Sequence, residues 1–211
     1  MSAVQRIKLA ALAGMAGPLL LGSVITILTI LEREFMLSIG WKLNAPLDWP
    51  SGLALGALGW VMTLTFLLSG LLILIFASGL RLSLPRLPLA TLSTWLLIAA
   101  GFGMIGLISP TDKTIRTTPA TWHGRQHDAS FTVIGLTLMP AMILFGFVFL
   151  KDRRWKNLAL YTWITVALAI PTFWMKGFAF YVFLAAILIW CEVIAFRLRS
   201  TSREFEQDFT S

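Results

Sequence analysis

The chain has 211 residues, of which 57% are hydrophobic and only 13% charged, with a mean hydropathy of +0.82. A soluble domain carries about a quarter charged residues, and a chain this short cannot hide such an apolar excess in a core, so the composition excludes a soluble globular protein and makes lipid the solvent for most of the surface. The net charge of +7 is not a nucleic-acid signal, because the Lys and Arg residues fall in short loops between apolar runs and no nucleic-acid motif is present.

The first apolar run, residues 9–31, follows Arg6 and Lys8. It is longer than the roughly 7–15 residues of a signal-peptide core and is followed by "EREF", which predicts a retained helix. Further spans of about 20 residues are expected at 52–80, 89–109, 130–150, 158–175 and 178–198. The fold class is therefore an all-α integral membrane bundle of six transmembrane helices over residues 1–200, with a short polar cytoplasmic tail at 201–211. Pro18, Pro140 and Pro171 lie inside spans, where each removes a backbone donor and favours a kink. Gly52, Gly56 and Gly59 have the small-residue spacing of close helix packing.

Lys and Arg divide unequally between the two sides. Eleven of the seventeen fall at the N-terminus, the second loop, the fourth loop and the C-terminus, with "KDRRWK" (151–156) the densest group. The other six are Arg33, Lys42, Lys113, Arg116, Arg125 and Lys176. This bias predicts cytoplasmic N- and C-termini and a multi-pass protein of the inner (plasma) membrane. The loops at 32–51 and 110–128 then face outward, with Trp41, Trp49, Trp122 and Trp174 forming an interfacial belt.

The outward stretch "TTPATWHGRQHDASF" holds both histidines. Thr118 and Pro119 read as an N-cap followed by proline at the first helical position. His123 and His127 then stand at i and i+4 on one helix face, a spacing that can hold a divalent metal between two imidazoles. Asp128 is about 100° around the helix from His127, by the 3.6-residue turn, and would not share that metal. A hydrogen-bonded role across the bundle mouth, with Asp112 or the first loop as partner, suits the pair better. Haem is not expected, because two histidines on one turn cannot take opposite faces of an iron. Ser51 sits at the mouth of the second span, where it could cap a helix or, beside a histidine, serve as a nucleophile.

Cys191 is the single cysteine and adjoins Glu192 inside the last apolar run, so no internal disulfide can form. An intramembrane carboxylate needs a partner. Arg199, seven residues on, is expected to provide it by an ion pair.

Two blocks carry a resemblance. "PSGLALGALGWVMTLTFLLSGLLILIFASGLR" and "GLISPTDKTIRTTPATWHGRQHD", with "AGPLL" in the first span, resemble a bacterial and archaeal membrane-protein family catalogued as domain of unknown function 998. The resemblance implies a polar set at Ser51, Gly59, Trp60, Thr111, Asp112, Trp122, His123, Gly124 and His127. Lys113 and Gly52 depart from the residues common in that family. It implies no activity.

From these residues an outward polar cluster of Ser51, Asp112, Trp122, His123 and His127 is expected to bind a lipid headgroup, a small molecule or a partner subunit. The alternatives are a metal-dependent hydrolase acting on lipid at the outer interface, with His123 and His127 as metal ligands, and an accessory or assembly subunit of a membrane complex. Apart from such a subunit, the expected partner is the lipid bilayer.

Overall fold

The computed structural model describes residues 1–40, 49–112, 121–175 and 177–208, with side chains through residue 204. The described chain is all helical: α1 (Ala3–Leu31), α2 (Arg33–Ser38), a 3-10 turn (Pro50–Leu55), α3 (Gly59–Ser83), α4 (Pro88–Gly106), α5 (Trp122–Phe149), α6 (Asn157–Phe173) and α7 (Phe178–Asp208). Among the described residues, α1, α3, α4, α5 and α7 are long and apolar enough to cross a membrane, and α6 is a shorter apolar helix.

Helices are what apolar runs must become in lipid, where no water satisfies the backbone. Local chemistry sets the ends. Ser2 and Gln5 form a capping box on α1, and Pro88 occupies the first turn of α4. Thr65, Thr94 and Ser130 satisfy their hydroxyls by donating to carbonyls four residues back, Val61, Ala90 and Gln126.

Each long helix packs on its neighbours in sequence, and α7 returns onto α1, so α1–α3–α4–α5–α6–α7 closes into a ring. Six cylinders in a ring leave a central gap as wide as a further helix, about 8–10 Å. A contact between α3 and α7 flattens the ring and narrows that gap. Glycines bring the walls together. A Cβ on Gly14 would lie 2.5 Å from the Phe76 ring, and one on Gly70 would lie 2.8 Å from the Gly101 carbonyl oxygen.

The end of the ring opposite α2 is fastened by charge. Arg154 forms a 2.6 Å ion pair with Asp152 and donates to the Ser83 carbonyl at the end of α3, while Arg197 on α7 donates to the Arg154 carbonyl and pairs with Glu204. Hydrogen bonds from Arg154 hold the Asp152 carboxyl below the usual carboxylate range.

The second span starts later than expected. Residues 50–55 form the 3-10 turn, which folds across the ring's end, and α3 begins only at Gly59. Gly52, Gly56 and Gly59 therefore make no helix-pairing stripe. A Cβ at Gly56 would meet the Glu32 carboxylate at 2.6 Å and one at Gly59 would strike the Ala54 carbonyl, so both glycines serve the fold-back. The buried Glu32 carboxylate accepts from the Leu58 amide at 2.5 Å and fastens the turn to α1.

Two other boundaries move. α5 begins at Trp122, eight residues ahead of the hydropathy window, with Thr121 as its N-cap. Thr118 and Pro119 lie outside the described residues, as do Trp41, Lys42, Lys113, Arg116 and Lys176. α7 runs past residue 200, and Thr201 and Ser202 are fully buried, so the segment read as a polar tail begins as further turns of that helix.

Candidate functional site

The gap in the ring is a cavity of about 140 Å³, counted as the space that centres of water-sized molecules could occupy. Its walls come from every helix of the ring, and they are apolar over most of their length: Phe66, Ile73, Leu97, Ile134, Phe183 and Leu188 are representative. On α5 the lining runs from His127 to Leu138 and on α7 from Phe180 to Cys191. At 1.5 Å per residue each stretch is roughly 16 Å long, about half the 30 Å hydrocarbon thickness of a bilayer. Spread over that depth, the volume corresponds to a passage about 6 Å wide once the water radius is restored, enough for one alkyl chain.

One end of the cavity is polar. Ser51 on the 3-10 turn, Thr111, His127 and Asp128 line it there. Trp49 closes the same end, its ring 5.7 Å from Phe131 and 6.5 Å from Phe180. This corrects the expected belt, since Trp49 turns inward against the apolar wall. Trp122 and Trp174 are exposed as a belt requires, at 71% and 62%. Pro18 also lines the cavity.

The histidines are placed by the turn between α4 and α5. His127 is buried, edge-on to Phe66 with ring centroids 6.4 Å apart. Its Nδ1 lies 2.8 Å from the Ser109 carbonyl oxygen. A carbonyl can only accept, so Nδ1 carries the proton and Nε2 is left as an acceptor. The Ser109 hydroxyl in turn donates to the His123 carbonyl, so Ser109 grips both ends of the first turn of α5.

His123 belongs to a separate arrangement. The Thr121 hydroxyl donates to Asp112 Oδ1 and accepts from the Gly124 amide, while His123 Nδ1 lies 2.8 Å from the same oxygen. With its one proton given to Asp112, that hydroxyl can only accept from the imidazole, so His123 also carries its proton on Nδ1. Asp112 accepts from the Thr121 amide as well, at 3.1 Å, and its carboxylate fills the space a Gly124 side chain would need. The "TWHG" run is thus a helix start built around an aspartate, an arrangement the N-terminal dipole favours.

The expected cluster therefore divides in two. Asp112, Thr121, His123 and the exposed Trp122, whose ring lies 5.3 Å from that of His123, form an outer cap. Ser51 and His127 face the cavity with Thr111 and Asp128. Among the described residues no hydrogen bond joins Ser51 to either histidine. Nor do the described residues gather three or more metal-ligating side chains.

Glu192 and Arg199 are not brought together. Seven residues along α7 put them on nearly the same face but separate them by about 10 Å of rise. Glu192 Oε1 is buried without a hydrogen-bond partner, Arg199 is exposed, and the ion pair on this part of α7 is Arg197 with Glu204.

Sequence reasoning missed Thr121, Ser109, Asp152 and Arg154. A threonine directly before Trp122 was a legible second cap candidate. Ser109 had no local signal, because His127 lies 18 residues away; Arg154 has Asp152 two residues before it, but its Ser83 partner lies 71 residues away.

The outer cap carries a pH expectation. Hydrogen bonds from the Thr121 side chain, then its amide, hold the Asp112 carboxyl below the ordinary carboxylate range. A depressed folded value means that its stabilising contribution is present above the unfolded value of about 4 and is lost as pH falls through the lower folded value. Hydrogen-exchange protection of the Gly124 amide, corrected for intrinsic rate, should be flat from about pH 8 to 5 and fall only in stronger acid. Asp112→Ala should lack that protection throughout.

The fold and the cavity together define a multi-pass helical membrane protein with an apolar interior chamber open to polar groups at one end. Its residues 48–198 match the family model described as protein of unknown function (DUF998), and the chain belongs to that family. No curated protein and no solved structure matches the chain.

Proposed function

We propose that this protein binds a single-chain amphiphile, with the hydrocarbon tail in the ring and the head among Ser51, Thr111, His127 and Asp128. The observation that carries the reading is the cavity itself, apolar for about one leaflet's depth and polar only at its mouth. In this reading α6 also crosses the membrane, because its 17 residues reach the lower end of the spanning range. Six crossings put both termini on one side, and the Lys and Arg bias makes that side the cytoplasm of a cell whose plasma (inner) membrane holds the protein. The mouth then opens outward.

The chemistry of the mouth narrows the head. His127 Nε2 and the Asp128 carboxylate are both acceptors, and Ser51 and Thr111 can donate or accept. Such a set favours a head that donates hydrogen bonds, a hydroxyl above all, and disfavours a phosphate beside Asp128. A monoacylglycerol has these properties.

Gly17 provides the test. It lines the cavity, and a Cβ there would stand 3.6 Å from Leu72 Cβ, an ordinary contact. Gly17→Leu should fill the chamber and lower the affinity for monopalmitoylglycerol by about tenfold or more, through a clash with the ligand alone. The melting temperature of the ligand-free protein should hold or rise. Binding measured by native mass spectrometry in nanodiscs decides it, and unchanged affinity in a folded variant rejects the cavity as the site.

A further inference from the structure

Ser69 on α3 stands apart from the other hydroxyls of the ring. Thr65, Ser93, Thr94, Ser130 and Thr165 are buried in the same helices, and each donates to a carbonyl one turn back. Ser69 is 2% exposed, and among the described residues its oxygen is the one serine or threonine hydroxyl left buried without a hydrogen-bond partner. It lines the cavity.

Its depth can be placed. Phe66, whose ring lies edge-on to His127, precedes it by three residues on the same helix face. Ser69 is therefore about 4.5 Å deeper than the Phe66 level, below the polar mouth and within the hydrocarbon wall formed by Leu72, Ile73 and Leu97. A plain alkyl chain would leave that hydroxyl buried and unpaired, whereas a carbonyl a few bonds below the head would accept its proton.

We propose that the cavity selects an amphiphile carrying an ester-type carbonyl just below its hydroxyl head, and that Ser69 donates the hydrogen bond that recognises it. This rests on the amphiphile-binding reading above and adds the linkage between head and tail as the recognised feature.

Two probes with a vicinal diol head separate the claims: monopalmitoylglycerol, which has the ester carbonyl, and octadecane-1,2-diol, which does not. Binding of each is measured to the wild-type chain and to Ser69→Ala in nanodiscs. The expected result is that Ser69→Ala loses about fivefold to tenfold in affinity for monopalmitoylglycerol, the net worth of one buried hydrogen bond, and none for the diol. Equal losses for both probes, or no loss for either, would assign Ser69 to packing or to a bound water and overturn the inference while leaving the cavity as a binding site. If the wild-type chain binds neither probe, the amphiphile reading fails and the inference fails with it.

Discussion

Gly70→Leu should lower the melting temperature by on the order of 10 °C and abolish amphiphile binding with it. A Cβ at this position would lie 2.5 Å from Ile105 Cγ1, 2.8 Å from the Gly101 carbonyl oxygen and 2.9 Å from the Ile105 amide nitrogen. The side-chain carbon could turn aside, but the two backbone atoms cannot, so α3 and α4 must separate. Overpacking of this kind costs about 1–3 kcal/mol and more when backbone has to move, and each kcal/mol is worth roughly 2–4 °C in a chain of this length. In the membrane no hydrophobic force would draw the helices back, since close packing itself holds them together. Both helices line the cavity, through Phe66 and Ile73 on one and Leu97 and Met104 on the other, so the chamber should lose its shape as the seam opens. Thermal unfolding in detergent, with Gly70→Ala beside it, checks the claim: the alanine Cβ already meets both backbone atoms, so that variant too should melt below the wild type, and the leucine variant no higher. Melting temperatures of both variants equal to that of the wild type would show that the α3–α4 seam has slack.

Arg154→Ala should cost nearly as much, about 2–3 kcal/mol, from the other end of the ring. Its guanidinium holds both oxygens of Asp152 and the terminal carbonyl of α3, and its own carbonyl receives Arg197 from α7. Truncation leaves the mostly buried Asp152 carboxylate without its counter-charge and the Ser83 carbonyl without its donor. Arg154→Lys should recover only part of the loss, because an ammonium cannot reproduce the two-pronged contact. The pH dependence has a definite sign. The Asp152 carboxyl is depressed in the fold, so its contribution is present above an unfolded value of about 4 and disappears as pH falls through the lower folded value. The gap in melting temperature between wild type and Arg154→Ala should therefore be constant near neutrality and shrink in acid. A gap that persists unchanged at about pH 2 would mean that the carboxylate carries none of it.

Much of this molecule was legible from the chain. The all-helical class and the order of the six apolar helices were legible, and among the described residues five of the six are long and apolar enough to cross a membrane, because length and hydropathy are properties of a local window. The failures are equally instructive. The helix expected from residue 52 gives way to a 3-10 turn, because Glu32, twenty-six residues away from Leu58, supplies the bond that folds it. Trp49, read as part of a belt, turns in toward Phe131 and Phe180. The pair expected from Glu192 and Arg199 does not form, and the working ion pairs on that side fall to Arg154 and Arg197 instead.

The histidine run shows where the division falls. The spacing of His123 and His127 was plain, and the structure keeps them one turn apart on α5, yet it gives them different work. His123 joins Asp112 through Thr121 in the cap, and His127 lines the chamber with its Nδ1–H donating to the Ser109 carbonyl. Sequence alone determined the solvent, the helical class and the order of the elements, since these follow from apolar content summed along short stretches. Only the tertiary structure decided which faces turn inward and which polar atoms meet. In lipid, the faces of a helix that look into the bundle and out to the bilayer can be equally apolar, so no periodicity in the chain marks the side on which Ser69 would line a cavity.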